Sequence, residues 1–389
     1  MPKLNKNILE LISSSFIFLL IFSFFNDNYM VNHFGDNSLK LLFIIFFVFY
    51  ANTIYKTLKG MTLMQDKIFF SYAISLTIIF LMKDIVNMSD NFVKQIFTII
   101  SLYVVVIFFS RYNLNKLIYF IWISIAFSGF IAYFNPPLTE WTFRTTGGTG
   151  DPNEFAAQLL TFFFSSIYLY NINKSKLFLS FSIVLFVNSL FLAGSKSSFA
   201  ILALVLLIVV IKYILFNIKK IMNYKFFSVI LLLLIVSLNV NINNFTGIKN
   251  MKERAKSSGT LTNREASWNG GYHMTVANPF LGVGLGDYGK YTRKYATVYV
   301  SATAPHNIYV KLVAESGIFV FLVFLFFVFI LLFQNFKKIF NTNYFWIYMS
   351  FLSLLLMGMT IGITYDKYFL LYIAIMLNTN YLINQKEIL

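Results

Sequence analysis

The chain has 389 residues, 58% of them hydrophobic and 12% charged, and a formal net charge of +16. A soluble domain carries about 25% charged residues, so this composition excludes one and predicts an all-α integral membrane protein. The absence of cysteine excludes a disulfide framework and a thiolate metal site.

Apolar runs of about 17 residues or more, enough to cross the hydrocarbon core, recur along the chain. They lie near 8–25, 39–55, 68–86, 92–110, 114–134, 155–171, 176–193, 198–216, 225–242, 306–333, 343–363 and 367–383. The pattern predicts about twelve transmembrane helices. Those in 1–242 precede a polar loop over 243–305, and the last ones occupy 306–389, all in one integrated membrane domain. The first run reads as retained, because Ser23-Phe24-Phe25-Asn26 offers no small-x-small cleavage site.

Basic residues collect on alternate sides. Lys3 and Lys6 share a side with Lys56, Lys59, Lys67, Arg111, Lys116, Lys174, Lys219, Lys220, Lys337 and Lys338. Short cytoplasmic loops gather Lys and Arg, so both termini are expected inside and the 243–305 loop outside. Most of the positive charge is this lysine set. It fits anchoring to anionic lipid at least as well as a nucleic-acid role, and no nucleic-acid partner is expected.

Several polar segments then follow in chain order. Arg144-Thr145-Thr146-Gly147-Gly148-Thr149-Gly150-Asp151-Pro152-Asn153-Glu154 leads into an apolar run. Asp151 suits a helix cap and Pro152 the first helical turn, while Arg144 is superfluous for capping alone. Leu192-Ala193-Gly194-Ser195-Lys196-Ser197-Ser198 is a very short turn whose Lys196 must reach the interface or a cavity beneath it.

The long loop carries Lys249, Lys252, Arg254, Lys256, Arg264, Lys290, Arg293 and Lys294 against few acids, which suits an anionic substrate at the bilayer surface. Its Arg264-Glu265-Ala266-Ser267-Trp268 stretch, with Tyr272 and His273, reads as an interfacial amphipathic helix. The stretch Asn278 to Gly289 is a glycine-rich turn. Its GxGxxG at Gly284, Gly286 and Gly289 is not a dinucleotide site, since no strand precedes it.

His306-Asn307 opens the next apolar run, which holds Lys311 and Glu315 at a spacing that lets them pair on one face. A histidine can take a proton near neutral pH, as a general base must. A capping or interfacial histidine at a helix start is the structural alternative. Gly358-Met359-Thr360-Ile361-Gly362 reads as a close helix-packing site.

Taken in order, Arg144…Asp151-Pro152-Asn153, Gly194-Ser195-Lys196, Arg264-x3-Trp268, Pro279-x2-Gly282-x-Gly284 and His306-Asn307-x9-Gly317 resemble the bacterial O-antigen polymerase and O-antigen ligase superfamily. The motifs cover roughly 140–320. The resemblance implies a membrane glycosyltransferase that uses undecaprenyl-pyrophosphate-linked oligosaccharide donors, with a separate chain-length regulator as a partner. Two positions depart from the family pattern. Ser195-Lys196 replaces its Ser-Arg turn, which keeps the charge but loses the bidentate fork. Val320 stands where the ligase branch has Gly, Thr or Tyr.

The implied roles are His306 as general base, Arg264 and Lys196 as the pyrophosphate clamp, and Arg144 as a third cation. Asn307, Asp151, Asn153 and Glu315 would support the site. With no acidic metal-binding cluster in the outer segments, fixed cations would take the place of Mg²⁺, so neither a metal nor a cofactor is expected. A polymerase that extends O-antigen or capsule at the outer face of the cytoplasmic membrane is the first expectation. A ligase acting on lipid A–core, a lipid-linked oligosaccharide flippase and a non-catalytic scaffold are the alternatives.

Overall fold

A computed structural model of the chain describes residues 6–85, 92–134, 144–216, 259–297, 304–362 and 367–385. The described residues are overwhelmingly helical. Helices α1 (Lys6–Phe25), α2 (Asp27–Phe34), α3 (Asp36–Gly60) and α4 (Met64–Ile79, continued by a π-helical turn Phe80–Ile85) come first. They are followed by α5 (Phe92–Phe109), α6 (Leu114–Phe134), α7 (Pro152–Asn173), α8 (Lys176–Ala193) and α9 (Lys196–Phe216). The loop region contributes α10 (Gly259–Ala277) and α11 (Tyr288–Tyr295). The C-terminal part holds α12 (Ile308–Phe333), α13 (Phe336–Phe340), α14 (Tyr344–Met357) and α15 (Lys367–Gln385).

A helix lies on each predicted apolar run except 225–242, which falls outside the described residues together with 243–258. By length and composition, six of the described helices can cross a membrane, or seven if the bent pair α1–α2 counts as one span. The expected count of about twelve is therefore supported in kind but not in number. One physical reason is length. At 1.5 Å per residue, α14 with its 14 residues spans only about 21 Å.

The centre of the bundle is α7, buried along most of its length and packed on α14, α8 and α6. Lipid is as apolar as leucine, so helices in a bilayer associate through close packing and interhelical hydrogen bonds rather than by leaving water. Phe155, Phe162 and Phe164 of α7 are fully enclosed. Ser350 Oγ donates to the Thr161 carbonyl at 3.3 Å, and Asn378 Nδ2 donates to the Phe109 and Tyr112 carbonyls at 3.1 and 2.6 Å. Near the start of α4, Asp66 and Arg111 pair at 2.8 Å, with the Tyr381 ring 4.0 Å from the guanidinium.

Two breaks shape the opposite end. The chain turns by 103° between α1 and α2 at the buried residue Asn26. Helix α12 breaks at Gly317, whose φ of 78° and ψ of 171° suit glycine alone. The glycine-rich turn fills that second break. Val283 and Gly284 N–H donate to the Ala314 and Glu315 carbonyls at 2.9 and 3.1 Å, and Ile318 N–H donates to the Pro279 carbonyl at 2.8 Å. A Cβ on Gly282 would lie 2.3 Å from the Glu315 carbonyl, and one on Gly317 would lie 2.3 Å from the Phe280 oxygen. Both backbones must be bare for the turn to dock. The GxGxxG thus begins in a clamp on a broken helix, with Gly284 as one of its donors.

Candidate active site

Three helix starts meet at this end of the bundle. Each presents N–H groups with no partner in its own helix and carries partial positive charge. At the start of α7, the Asp151 side chain caps by accepting from Asn153 N–H at 2.5 Å, with Pro152 in the first turn. At the start of α12, Asn307 Oδ1 accepts from the Tyr309 and Val310 N–H groups at 2.9 and 3.2 Å. Helix α9 begins at Lys196, two residues after Gly194, the left-handed cap of α8.

Side chains link these starts. Arg144 is only 5% exposed; its Nε donates to the Ala193 carbonyl at 2.6 Å and its Nη2 to Asn153 Oδ1 at 3.0 Å. The same Asn153 oxygen accepts from Ser195 Oγ at 3.0 Å, and Ser195 Oγ lies 3.1 Å from Ser197 Oγ. One carboxamide therefore ties the first turn of α7 to the turn before α9, with a buried guanidinium beside it.

His306 faces the other side of the α7 start. Its Nδ1 lies 3.9 Å from Asp151 Oδ2, within ion-pair range but longer than a hydrogen bond. Its φ of 46° places it in the left-handed region, which histidine enters more readily than most residues. The imidazole is partly open, with a third of its surface accessible. Burial holds its pKa below the ordinary histidine value; the Asp151 carboxylate opposes that shift and the Arg264 guanidinium adds to it. A neutral imidazole at pH 7 can accept a proton, which fits a general base.

Arg264 lies on α10, which contains the whole predicted amphipathic stretch. The helix is fastened beside the histidine by Trp268, whose Nε1 donates to the Pro305 carbonyl at 2.7 Å. The base of the loop is pinned by Gln95, whose Nε2 donates to the Leu285 carbonyl. Below the cap of α12, Ile308 N–H donates to the Gly358 carbonyl at 2.7 Å. The Gly358 region is thus a close contact with the start of α12, as the small-residue pattern implies.

The structure brings together Arg144, Asp151, Asn153 and His306, and Trp268 fastens the helix that carries Arg264 beside them. Asn307 supports the cluster as the cap of α12. Lys196 sits at the edge of this group on the first residue of α9, with its side chain exposed. Glu315 joins the clamp instead. It is fully buried and its Oε1 accepts from Tyr288 N–H at 3.3 Å, which anchors α11. Its helix neighbour Lys311 reaches the Gly362 carbonyl at 3.3 Å.

Two residues that sequence reasoning passed over complete the support. Asn26 donates to the Ser124 carbonyl at 3.1 Å and accepts from Ser128 Oγ at 2.6 Å, fixing the bend that leads into α2. Tyr29 N–H then donates to the Gly148 carbonyl at 3.2 Å, so α2 braces the turn that carries Asp151. The only sequence signal was the polar run Asn26-Asp27-Asn28 at the end of an apolar stretch.

No curated protein sequence matches the chain. Residues 181–325, over a third of the chain, match the family described as O-antigen ligase, a span that includes Ser195, Lys196, Arg264, His306 and Gly317. The chain is thus similar to that family over this part of its length, and its apolar helices are those of a multi-pass membrane protein.

Proposed function

We propose that the chain is a polysaccharide polymerase acting at the outer face of the cytoplasmic membrane. It moves a growing O-antigen or capsule glycan from undecaprenyl pyrophosphate onto a carrier-linked repeat unit. The observation that carries this reading is the placement of His306 against Asp151 on one side of the α7 start, with Arg144, Asn153 and the turn before α9 on the other.

The reaction needs little covalent help. The acceptor hydroxyl attacks the anomeric carbon as the bond to the pyrophosphate oxygen breaks, and the configuration inverts. The hydroxyl proton passes to His306, and the electron pair leaves with undecaprenyl pyrophosphate. General-base assistance contributes about 10²–10⁴-fold. Charge developing on the leaving group is met by Arg264, by Lys196 from the open edge, and by the starts of α7 and α9. Arg144 adds charge from below and fixes Asn153. These cations serve the purpose that a divalent metal serves elsewhere. A separate chain-length regulator is expected as partner.

Transfer to lipid A–core is the second reading, favoured by the family's description as a ligase. The test uses protein in nanodiscs supplied with one native undecaprenyl-pyrophosphate-linked repeat unit and no other acceptor. A ladder of carrier-linked products, lost in Arg264→Ala and His306→Ala, is expected. A single transfer that appears only when lipid A–core is added would replace the polymerase by the ligase. A full ladder from His306→Ala would overturn the assigned base.

A further inference from the structure

Helix α2 does nothing for the core, since none of its residues is buried, yet it is fixed firmly against the Asp151 turn. Its eight residues, Asp27-Asn28-Tyr29-Met30-Val31-Asn32-His33-Phe34, divide by the i, i+4 rule into two faces. Asn28 and Asn32 stack along one row and Tyr29 and His33 along the next. Met30, Val31 and Phe34 lie opposite, with Phe34 65% exposed.

The orientation of the polar face follows from its contacts. Asn28 Nδ2 donates to the Thr149 carbonyl at 3.5 Å, two residues before Asp151. Tyr29 and His33 form a stacked pair with ring centroids 4.1 Å apart, and Tyr29 also meets Phe127 edge-on at 5.5 Å. His33 Nδ1 lies 2.9 Å from the Tyr29 carbonyl, which locks the imidazole in place. His33 and Asn32 are exposed. A rigid aromatic pair flanked by carboxamides is the recognition chemistry of a pyranose, whose C–H face lies on rings while its hydroxyls exchange hydrogen bonds with amides.

We propose that the Asn28, Tyr29, Asn32 and His33 face of α2 is the subsite for the acceptor glycan. This rests on the proposed glycosyl transfer and assigns the acceptor side of that site. The aromatic pair holds a sugar of the incoming repeat unit, and the Asn26 bend sets its distance from His306.

The test separates binding from catalysis. The probe is the free repeat-unit oligosaccharide, released by mild acid from its undecaprenyl pyrophosphate carrier, and its binding to protein in nanodiscs is followed by saturation-transfer NMR and calorimetry. Tyr29→Ala and His33→Ala are each expected to weaken binding about tenfold or more, whereas Phe34→Ala leaves it unchanged. His306→Ala is expected to retain binding while transfer is lost. In the transfer assay, His33→Ala should raise the acceptor KM with kcat and the donor KM preserved. Undiminished binding in both ring variants, or an equal loss in Phe34→Ala, would overturn the subsite. Loss of the transferase reading alone would show as normal binding without any product from the wild type.

Discussion

The clamp between the glycine-rich turn and the break in α12 makes the sharpest quantitative prediction. In Gly317→Ala, the new side chain must adopt a backbone conformation that costs about 1–3 kcal/mol outside glycine. Its Cβ would also lie 2.3 Å from the Phe280 oxygen and 2.9 Å from the Pro279 oxygen, both backbone atoms that cannot rotate aside. The turn must lift, and the hydrogen bonds from Val283, Gly284 and Ile318 go with it. At about 0.5–1.5 kcal/mol net for each, the combined local cost is roughly 3–7 kcal/mol. Hydrogen exchange over 278–287, read by mass spectrometry in detergent, should lose most of its protection, and the loop should become sensitive to protease. Gly286→Ala is the control. Gly286 has a similar φ of 79° but open space around it, so it costs conformational strain only. Protection in Gly317→Ala equal to that of the control would refute the clamp.

Two further predictions concern the cluster itself. In the proposed mechanism the active imidazole is the neutral one, so transfer should fall as pH drops through the His306 pKa, with the midpoint of the acid limb below the ordinary histidine value of 6.5. Asp151→Asn removes the influence that raises this pKa and should move the limb of kcat/KM to lower pH, whereas Arg264→Gln should move it higher; an unmoved limb in both would exclude His306 as the titrating group. Arg144→Lys keeps the charge but cannot hold the Ala193 carbonyl and Asn153 together, so a stability loss of about 1.5–3 kcal/mol is expected. It should appear as a lower melting temperature together with a raised donor KM, and a variant with wild-type values of both would show that the pairing is dispensable.

Much of this end of the molecule was legible in the chain. Asp151 and Pro152 announced a helix start by residue type, and His306-Asn307 marked another, because capping chemistry is local. The amphipathic stretch around Arg264 and Trp268 likewise emerged as part of one helix. What could not be read were features created by distant partners. Gly317 lies in a strongly apolar run, and hydropathy does not sense a break whose hydrogen bonds are supplied by a turn some 30 residues earlier. Glu315 read as an intramembrane charge able to pair with Lys311, and its hydrogen bond from the Tyr288 N–H was hidden because the folding of the loop brings that group there. The bend at Asn26 was hidden for the same reason, since its partners Ser124 and Ser128 belong to another helix. Among the described residues six or seven helices are long and apolar enough to span, and α14 shows why an apolar run gives only a maximum length for its helix.

In the proposed reaction, the arrangement would keep proton transfer and charge stabilisation in step. Asp151 faces the imidazole, and Asn153, two residues on, holds the guanidinium and the Ser195 hydroxyl. Both belong to the start of one helix, whose backbone leaves their separation little freedom. In the proposed transfer, an acceptor hydroxyl at His306 and a leaving pyrophosphate beside Ser195 and Lys196 would be fixed relative to each other by α7 rather than by two independent loops. Pre-set geometry of this kind is worth several kcal/mol of barrier, more than any single cation here could supply alone. On this argument the first turn of α7 is as much a part of the proposed catalyst as the histidine, although neither Asp151 nor Asn153 need take part in bond making.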